Sequence, residues 1–378
     1  MPTYQYAISG ITDVLLRENP FFYEALPSSR HRAGGDKNPG CGVFLEGVAE
    51  FLKNHLQILE EHYGEKIETI RIILEKHGAF YHPCRVILNN LAHRPLAVNG
   101  AVTDEARTVM KKEVAALQNL WSQGMGKALP EVFFTEDLIL DEEGRASFFA
   151  APWFEGFCEF HWSLQKKTLG ILLWEDGGEQ KLMKKEALQS LFQQAAAILT
   201  RAYDFDCFRQ IFPWHHAAGD FVARVQGLDV DVRLITVRQY ENLFSLDPGG
   251  AEFSDKVEAL MYFLWNMLLR MRLDRLDGIG ELVWAPDFVV PSAISGFFEG
   301  LSEKAARRED IAIVMEALPD IVLAGGEEGL FETHEEIVSA YNPKAPEIGL
   351  IRDHLRSHTN LVHEIFRQQK REKRSSDA

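Results

Sequence analysis

The stretch QIFPWHHAAGDFVARV, Gln210 to Val225, decides how the chain is read. It places two histidines, a Gly-Asp pair and an apolar, strand-like tail in direct succession. Pro213 and Trp214 mark a structured loop that feeds a strand, with Asp220 at the junction. Loops held by a scaffold carry binding and catalytic groups more often than the scaffold does. The surroundings of this loop therefore have to say which chemistry it serves.

Upstream, QKLMKKEALQSLFQQAAAILTRAYDF has apolar residues at helical spacing and leads into the loop. Downstream, VDVRLITVRQY reads as a strand. Further on come an apolar helix in KVEALMYFLWNMLLRM, a helix near SAISGFFEGLSEKAAR, another in EDIAIVMEALPDIVL, and a C-terminal helix from about Glu347. From about Phe157 onward the composition predicts mainly helix.

The N-terminal half reads differently. PFFYEALPSSRHRAGGDKNPGCG is turn-rich, and VFLEGVAEFLKNHLQILEEHYG predicts one helix, so that the chain opens with a helix and its lead-in. KIETIRIILEKHG, CRVILNN and PLAVNGAV are short runs of Val, Ile and Leu bounded by Gly, Pro or Asn, which predict successive antiparallel strands. A helix follows in TDEARTVMKKEVAALQNLWSQG, with Thr103 or Asp104 as N-cap and Val109, Val114, Leu117 and Leu120 on its apolar face. EVFFTEDLILDEEGRASFFAAPWFEG then predicts a hairpin turning at DEEGR.

With 378 residues the chain exceeds what one hydrophobic core usually holds, and two lobes are expected. The net charge of −16 argues against nucleic acid or an anionic membrane as partner, since phosphate neutralisation needs clustered Lys and Arg. The basic run RQQKREKRSS, Arg367 to Ser376, has no interleaved aromatics and reads as a solvated helix end. Cys41, Cys84, Cys158 and Cys207 are far apart, which fits reduced thiols in the cytoplasm. The N-terminus has no basic start and carries Asp13 and Arg17 in its apolar stretch, unlike a secretory signal. ALMYFLWNMLLRMRL is too short, and too interrupted by Arg270 and Arg272, to span a bilayer.

Strands, a helix carrying Glu113, more strands, a link near Pro152, and a helical half with one polar loop and a short strand pair: this order resembles the protein-kinase-like fold. More narrowly it is similar to the aminoglycoside phosphotransferase and choline kinase branch, over roughly Thr69 to Glu303. The resemblance implies an α+β, bilobal architecture, with a small antiparallel-sheet N-terminal lobe and a larger, mostly helical C-terminal lobe. The divisions expected are residues 1–65 as an N-terminal helical extension, 66–152 as the N-lobe and 153–378 as the helical C-lobe. It also implies ATP and Mg²⁺ as cofactors and an alcohol group as phosphoryl acceptor.

Phosphoryl transfer needs a base, oxygen ligands for Mg²⁺ and a cation on the nucleotide phosphates. In one register His215 stands at the family's catalytic Asp, Asp220 at its metal-binding Asn and Thr236 at its principal metal-binding Asp. In the other, Asp220 is the base, Ala218 replaces the histidine and the metal-binding Asn falls at Val225. Thr236 is a poor ligand for a hard divalent cation in both, unless Glu241 or Asp229 reaches in. The family's lysine position holds Asn99; Lys111 and Lys112 lie beside Glu113 on its own helix, and the single Gly78 gives no Gly-rich phosphate loop. Trp153 and Phe154, followed by Phe157, Phe160 and Trp162, would flank an adenine pocket or simply pack an interface. His77, His82 and Cys84 match no standard zinc spacing.

The candidate site residues are thus His215 and Asp220 for catalysis, Glu113, Trp153, Phe154 and Thr236 for nucleotide, and Asp220 for metal. The leading expectation is a pseudokinase-like cytoplasmic protein that binds a nucleotide and an unknown small molecule or protein. Its rivals are an active ATP-dependent small-molecule phosphotransferase and a helical scaffold without ligand.

Overall fold

In His82–Leu88 every second side chain is buried, the period-two pattern of a strand on a packed sheet. The computed structural model describes residues 1–26, 39–75, 80–91, 93–140, 144–165, 168–174, 180–214, 219–243 and 248–376. Within them the chain forms two compact units, Met1–Gly126 with Pro130–Glu155, and Lys127–Leu129 with Gly156–Ala378.

The first unit contains β1 (Thr3–Ile8), helices α1 (Cys41–Asn54) and α2 (Leu56–Tyr63), and strands β2 (Thr69–Leu74), β3 (His82–Leu88) and β4 (Leu96–Ala101). Helix α3 (Asp104–Leu120), β5 (Phe134–Ile139) and β6 (Arg145–Pro152) complete it. The strands form one sheet in the order β1-β2-β3-β4-β6-β5. From β2 onward all pairs are antiparallel, while β1 lies parallel to β2. The chain therefore opens with a strand rather than a helix, and residues 1–65 contribute β1, α1 and α2 to this unit's core.

The sheet is buried on both faces, because β6 sends Ala146, Phe148 and Ala150 one way and Phe149 and Ala151 the other. On the first face lie Phe44, Leu45, Val48, Phe51 and Leu52 of α1. On the second lie Ala106, Met110 and Val114 of α3. Thr103 caps α3, accepting a hydrogen bond from the Ala106 amide at 3.0 Å. The single helix expected between Val43 and Gly64 is two: at His55 the backbone leaves helical geometry. Its ring turns back, with Nδ1 2.9 Å from the Phe51 carbonyl and the ring stacked on Phe134 at 4.3 Å.

The second unit begins with a three-stranded sheet, β7 (Phe160–Gln165), β8 (Thr168–Trp174) and β9 (Gln180–Leu182), where helix was expected. The apolar runs in β7 and β8 span only six and seven residues, a strand's length and short for a helix. Helix α4 (Lys185–Ala202) leads to β10 (Arg209–Ile211), followed by the hairpin β11 (Phe221–Gln226) and β12 (Asp229–Leu234), and by β13 (Tyr240–Asn242). Then come α5 (Phe253–Met271), the short hairpin β14 (Leu273–Arg275) and β15 (Leu282–Trp284), and helices α6 (Val289–Ala305), α7 (Glu309–Ala324), α8 (Gly326–Ala340) and α9 (Glu347–Ser376). Helix α8 adds to the helices read from the sequence. No helix among the described residues is long and apolar enough to cross a membrane.

The chain is therefore α+β, with an antiparallel-sheet unit followed by a mostly helical one. Five antiparallel strands with a helix before the last hairpin, then helices around a loop flanked by short strand pairs, is the order the protein-kinase-like fold implies.

One part of the helical core is unusual. Arg272, Trp265, His334 and His358 are all buried, yet Arg272 Nε and Nη1, Trp265 Nε1, His334 Nε2 and both His358 ring nitrogens lack a hydrogen-bond partner among the described residues. Each buried polar group left unpaired costs about 1–3 kcal/mol. Together they would offset a net domain stability of about 5–15 kcal/mol.

Where α1 crosses the sheet, a Cβ on Gly100 would run into the Phe44 ring and approach Phe148 to 2.8 Å. Gly100→Ala is expected to cost about 1–3 kcal/mol through overpacking. Chemical denaturation should show this loss, and Phe44→Leu in the same chain should return part of it.

Candidate functional site

Two strand pairs frame the loop that opened the sequence reading. β10 and β13 pair antiparallel from Arg209↔Asn242 to Ile211↔Tyr240, so the segments before and after the hairpin are tied together. The β11–β12 hairpin pairs Phe221 with Leu234, and the Asp220 carbonyl accepts from the Ile235 amide at 2.8 Å. Gln194 of α4 holds this hairpin from beneath, its Nε2 donating to the Val230 carbonyl at 2.6 Å and its Oε1 accepting from the Val232 amide at 3.1 Å. Asp220 and the Thr236–Arg238 segment are thereby fixed side by side.

Asp220 is 1 % exposed, and an unpaired carboxylate at such burial would be strongly disfavoured. Its partner is Arg238, whose Nη1 donates to Oδ2 at 2.7 Å and Nη2 to Oδ1 at 2.5 Å. This bidentate fork is the strongest geometry a guanidinium and a carboxylate can adopt. It engages both oxygens through which Asp220 would hold a cation. Thr236 adds a half-buried hydroxyl side chain, Asp229 stands at the turn end of the hairpin and Glu241 lies across from Gln210 on β13. One carboxylate already engaged by a fixed cation, with one hydroxyl nearby, does not fit Mg²⁺, which demands several oxygen ligands in octahedral array. No group of three His, Cys, Asp or Glu side chains among the described residues could hold a metal ion.

His215 lies outside the described residues, so the structure places Asp220 and Thr236 of this candidate set and not the histidine. In the first unit Glu113 is 1 % exposed, and its Oε2 accepts from the Tyr81 hydroxyl at 2.7 Å. A neutral phenol from the segment entering β3 thus serves a carboxylate for which a lysine was sought on β4. Lys111 instead donates to Asp137 at 2.8 Å, and this bond together with one from Ser147 holds the Asp137 carboxyl below its ordinary range. Trp153 and Phe154 are half-buried; the Arg85 guanidinium lies 5.7 Å from the Trp153 ring centre, and the Trp153 amide donates to the Pro95 carbonyl.

The structure also assembles residues that sequence reasoning passed over. Cys158 and Ala223 exchange backbone hydrogen bonds at 2.9 Å, which runs the segment entering β7 alongside β11. This brings Glu159 against Gly219: a Cβ on that glycine would lie 2.7 Å from Glu159 Oε1. His161 Nε2 is 3.6 Å from Glu159 Oε2, while its buried Nδ1 has no hydrogen-bond partner among the described residues. Beneath them Asp274 is fully buried and accepts from the Trp162 amide at 3.2 Å and from the Arg275 amide. Burial pushes its carboxyl up to about 6 against the pull of those two donors. A carboxyl poised near neutrality beside an imidazole can take or give a proton. Only the three-dimensional packing of β7 against β11 and β14 reveals this cluster, since Gly219 lies about sixty residues from Glu159 and Asp274 more than a hundred from Glu159 and His161.

No protein-family model and no curated protein matches the sequence. Among solved structures the chain is similar to WaaP in complex with acyl carrier protein, at 12 % identity and TM-score 0.31, over 70 % of this chain and 88 % of that one. A macrolide 2'-phosphotransferase type I matches at 13 % identity and TM-score 0.31, over 70 % of this chain and 96 % of that chain. The apoenzyme of macrolide 2'-phosphotransferase MphH from Brachybacterium faecium matches at 13 % and 0.30, over 78 % and 99 %. At these overlaps the fold assignment stands on the order and pairing of this chain's own elements.

Removing Arg238 strands a buried carboxylate, so Arg238→Met is expected to cost about 3–5 kcal/mol. Urea denaturation of Arg238→Met, Asp220→Asn and the double variant should give a coupling energy of at least about 1.5 kcal/mol. Asp274 carries a pH signature. A carboxyl raised by folding contributes fully below its unfolded value near 4 and loses that contribution as pH rises through about 6. Asp274→Asn should therefore gain about 1–2 kcal/mol relative to the wild type on going from pH 5 to pH 8. Parallel stability curves for the two proteins would refute that assignment.

Proposed function

We propose that this chain is a kinase-fold protein in which the phosphotransfer apparatus has been replaced, and which binds a nucleotide or another small ligand without metal-dependent phosphoryl transfer. The observation that carries this reading is the fork between Arg238 and Asp220. Where a phosphotransferase needs a carboxylate to bring in Mg²⁺, this protein has a carboxylate with a permanent positive charge already attached. The Trp153 and Phe154 aromatics would supply apolar contact for a base, and the cytoplasm is the compartment in which nucleotide is abundant.

The rival, an ATP-dependent phosphotransferase acting on an alcohol, draws on a different observation. Asp274, His161 and Glu159 beside Gly219 supply proton-transfer groups next to the loop. In that case the acid–base chemistry would survive in a displaced position, with His215 or Asp220 retained in the loop.

A thermal-shift series separates the two. The binding reading expects ATP to raise Tm by the same increment with and without Mg²⁺, since a ligand selective for the native state stabilises it in proportion to its occupancy. It also expects no ATP turnover across a panel of hydroxylated small molecules. Mg²⁺-dependent turnover abolished by Asp220→Ala would overturn it in favour of the enzyme. Absence of any shift with nucleotide would leave the ligand-free scaffold as the better account.

A further inference from the structure

The phosphotransfer reading leaves the second polar cluster of the helical unit unused. Arg272 closes α5, Trp284 ends β15, His334 lies on α8, and His354 and His358 lie on α9. The Arg272 guanidinium is 4.9 Å from the Trp284 ring centre. The same ring meets His358 edge-on at 5.8 Å and stacks on His354 at 5.2 Å. His358 in turn lies 5.4 Å from His334. A guanidinium and two imidazoles therefore share one buried neighbourhood, with half-buried Trp284 and His354 at its rim.

Charge decides what such a neighbourhood can hold. Arg272 is 3 % exposed, and a guanidinium keeps its proton even at that burial. Its Nη2 donates to Asp287 Oδ1 at 2.9 Å, but the Asp287 side chain is 80 % exposed, so solvent screens the negative charge while the positive one stays inside. Nε and Nη1 have no hydrogen-bond partner among the described residues, nor do the two His358 nitrogens and His334 Nε2. His334 Nδ1 is engaged at 2.9 Å by Thr359 Oγ1, which fixes that ring. Burial keeps both imidazoles uncharged at neutral pH, so each carries one N–H: that of His334 is taken by Thr359 Oγ1, whose own hydroxyl donates to the Leu355 carbonyl at 3.0 Å, and that of His358 is left over. The guanidinium repels a metal ion, and the missing element is a compact acceptor with negative charge.

We infer that Arg272 and His358, with His334 packed beside them, form a binding site for a small oxyanion, with exposed Asp287 as the tethered carboxylate that the ligand competes with. Phosphate, sulfate and a metabolite carboxylate share the required chemistry. The site is independent of the Asp220 loop, so it stands or falls apart from the nucleotide question.

The probe is inorganic phosphate, titrated into the full chain at constant ionic strength against chloride, with sulfate and acetate as parallel arms. Tm should rise with the logarithm of phosphate concentration above its Kd. The side-chain nitrogen resonances of two buried histidines should move saturably with the same midpoint. Arg272→Gln should weaken binding by about tenfold or more, and Asp287→Asn should tighten it. A saturable response to acetate alone supports the site with a carboxylate as its ligand. No histidine response to any of the three anions overturns the proposal, as does an equal response in Arg272→Gln. Should that variant fail to fold, the wild-type histidine signals decide alone.

Discussion

The ion pair between Asp220 and Arg238 is the constraint from which the organisation of the second unit follows. A carboxylate 1 % exposed cannot stand unpaired, and its partner lies beyond the whole β11–β12 hairpin. Forming the pair therefore requires the hairpin to close, β13 to return alongside β10, and Gln194 to seat the hairpin on α4. The positive charge that balances Asp220 is covalently part of the chain.

The first unit repeats this theme with different groups. Glu113 is as deeply buried as Asp220, and it finds a phenolic hydroxyl at 2.7 Å. Helix α3 is held by its apolar contacts with Phe149 and Ala151, by its Thr103 cap and by the polar ties of Glu113 to Tyr81 and of Lys111 to Asp137. In both units a buried carboxylate is met by a donor from the protein itself.

What the sequence disclosed and what it withheld divide along physical lines. Strands β2 to β6 and helix α3 were legible because each carries its own period, boundary residues and cap within a short window. The first strand was not, since TYQYAI mixes polar and apolar residues and owes its strand state to Thr69–Leu74, some sixty residues on. The β7–β9 sheet was hidden by a composition that averages towards helix across Phe157 to Ala202. At the site, Asp220 stood out as an acidic residue in a loop, but Arg238 looked like an ordinary strand arginine. Its meaning depends on a partner supplied by register rather than by spacing. Tyr81 and Asp274 were obscure for the same reason.

The two edges of the six-stranded sheet are guarded by unlike means. On one side β5 is the last strand, and Glu136 and Asp137 place charge along it, which discourages another chain from pairing there. On the other, the exposed border would be β2, with Ile70, Ile72, Ile73 and Leu74 in a row and a single arginine among them. That strand is covered by β1, which matches it residue for residue from Thr3↔Thr69 to Ile8↔Leu74. A chain that has lost its first eight residues gives up the core contacts of Tyr4, Tyr6 and Ile8 and presents an apolar, unpaired border, the feature by which one protein molecule templates the addition of the next. The N-terminal strand thus closes a border that would otherwise be open to another chain.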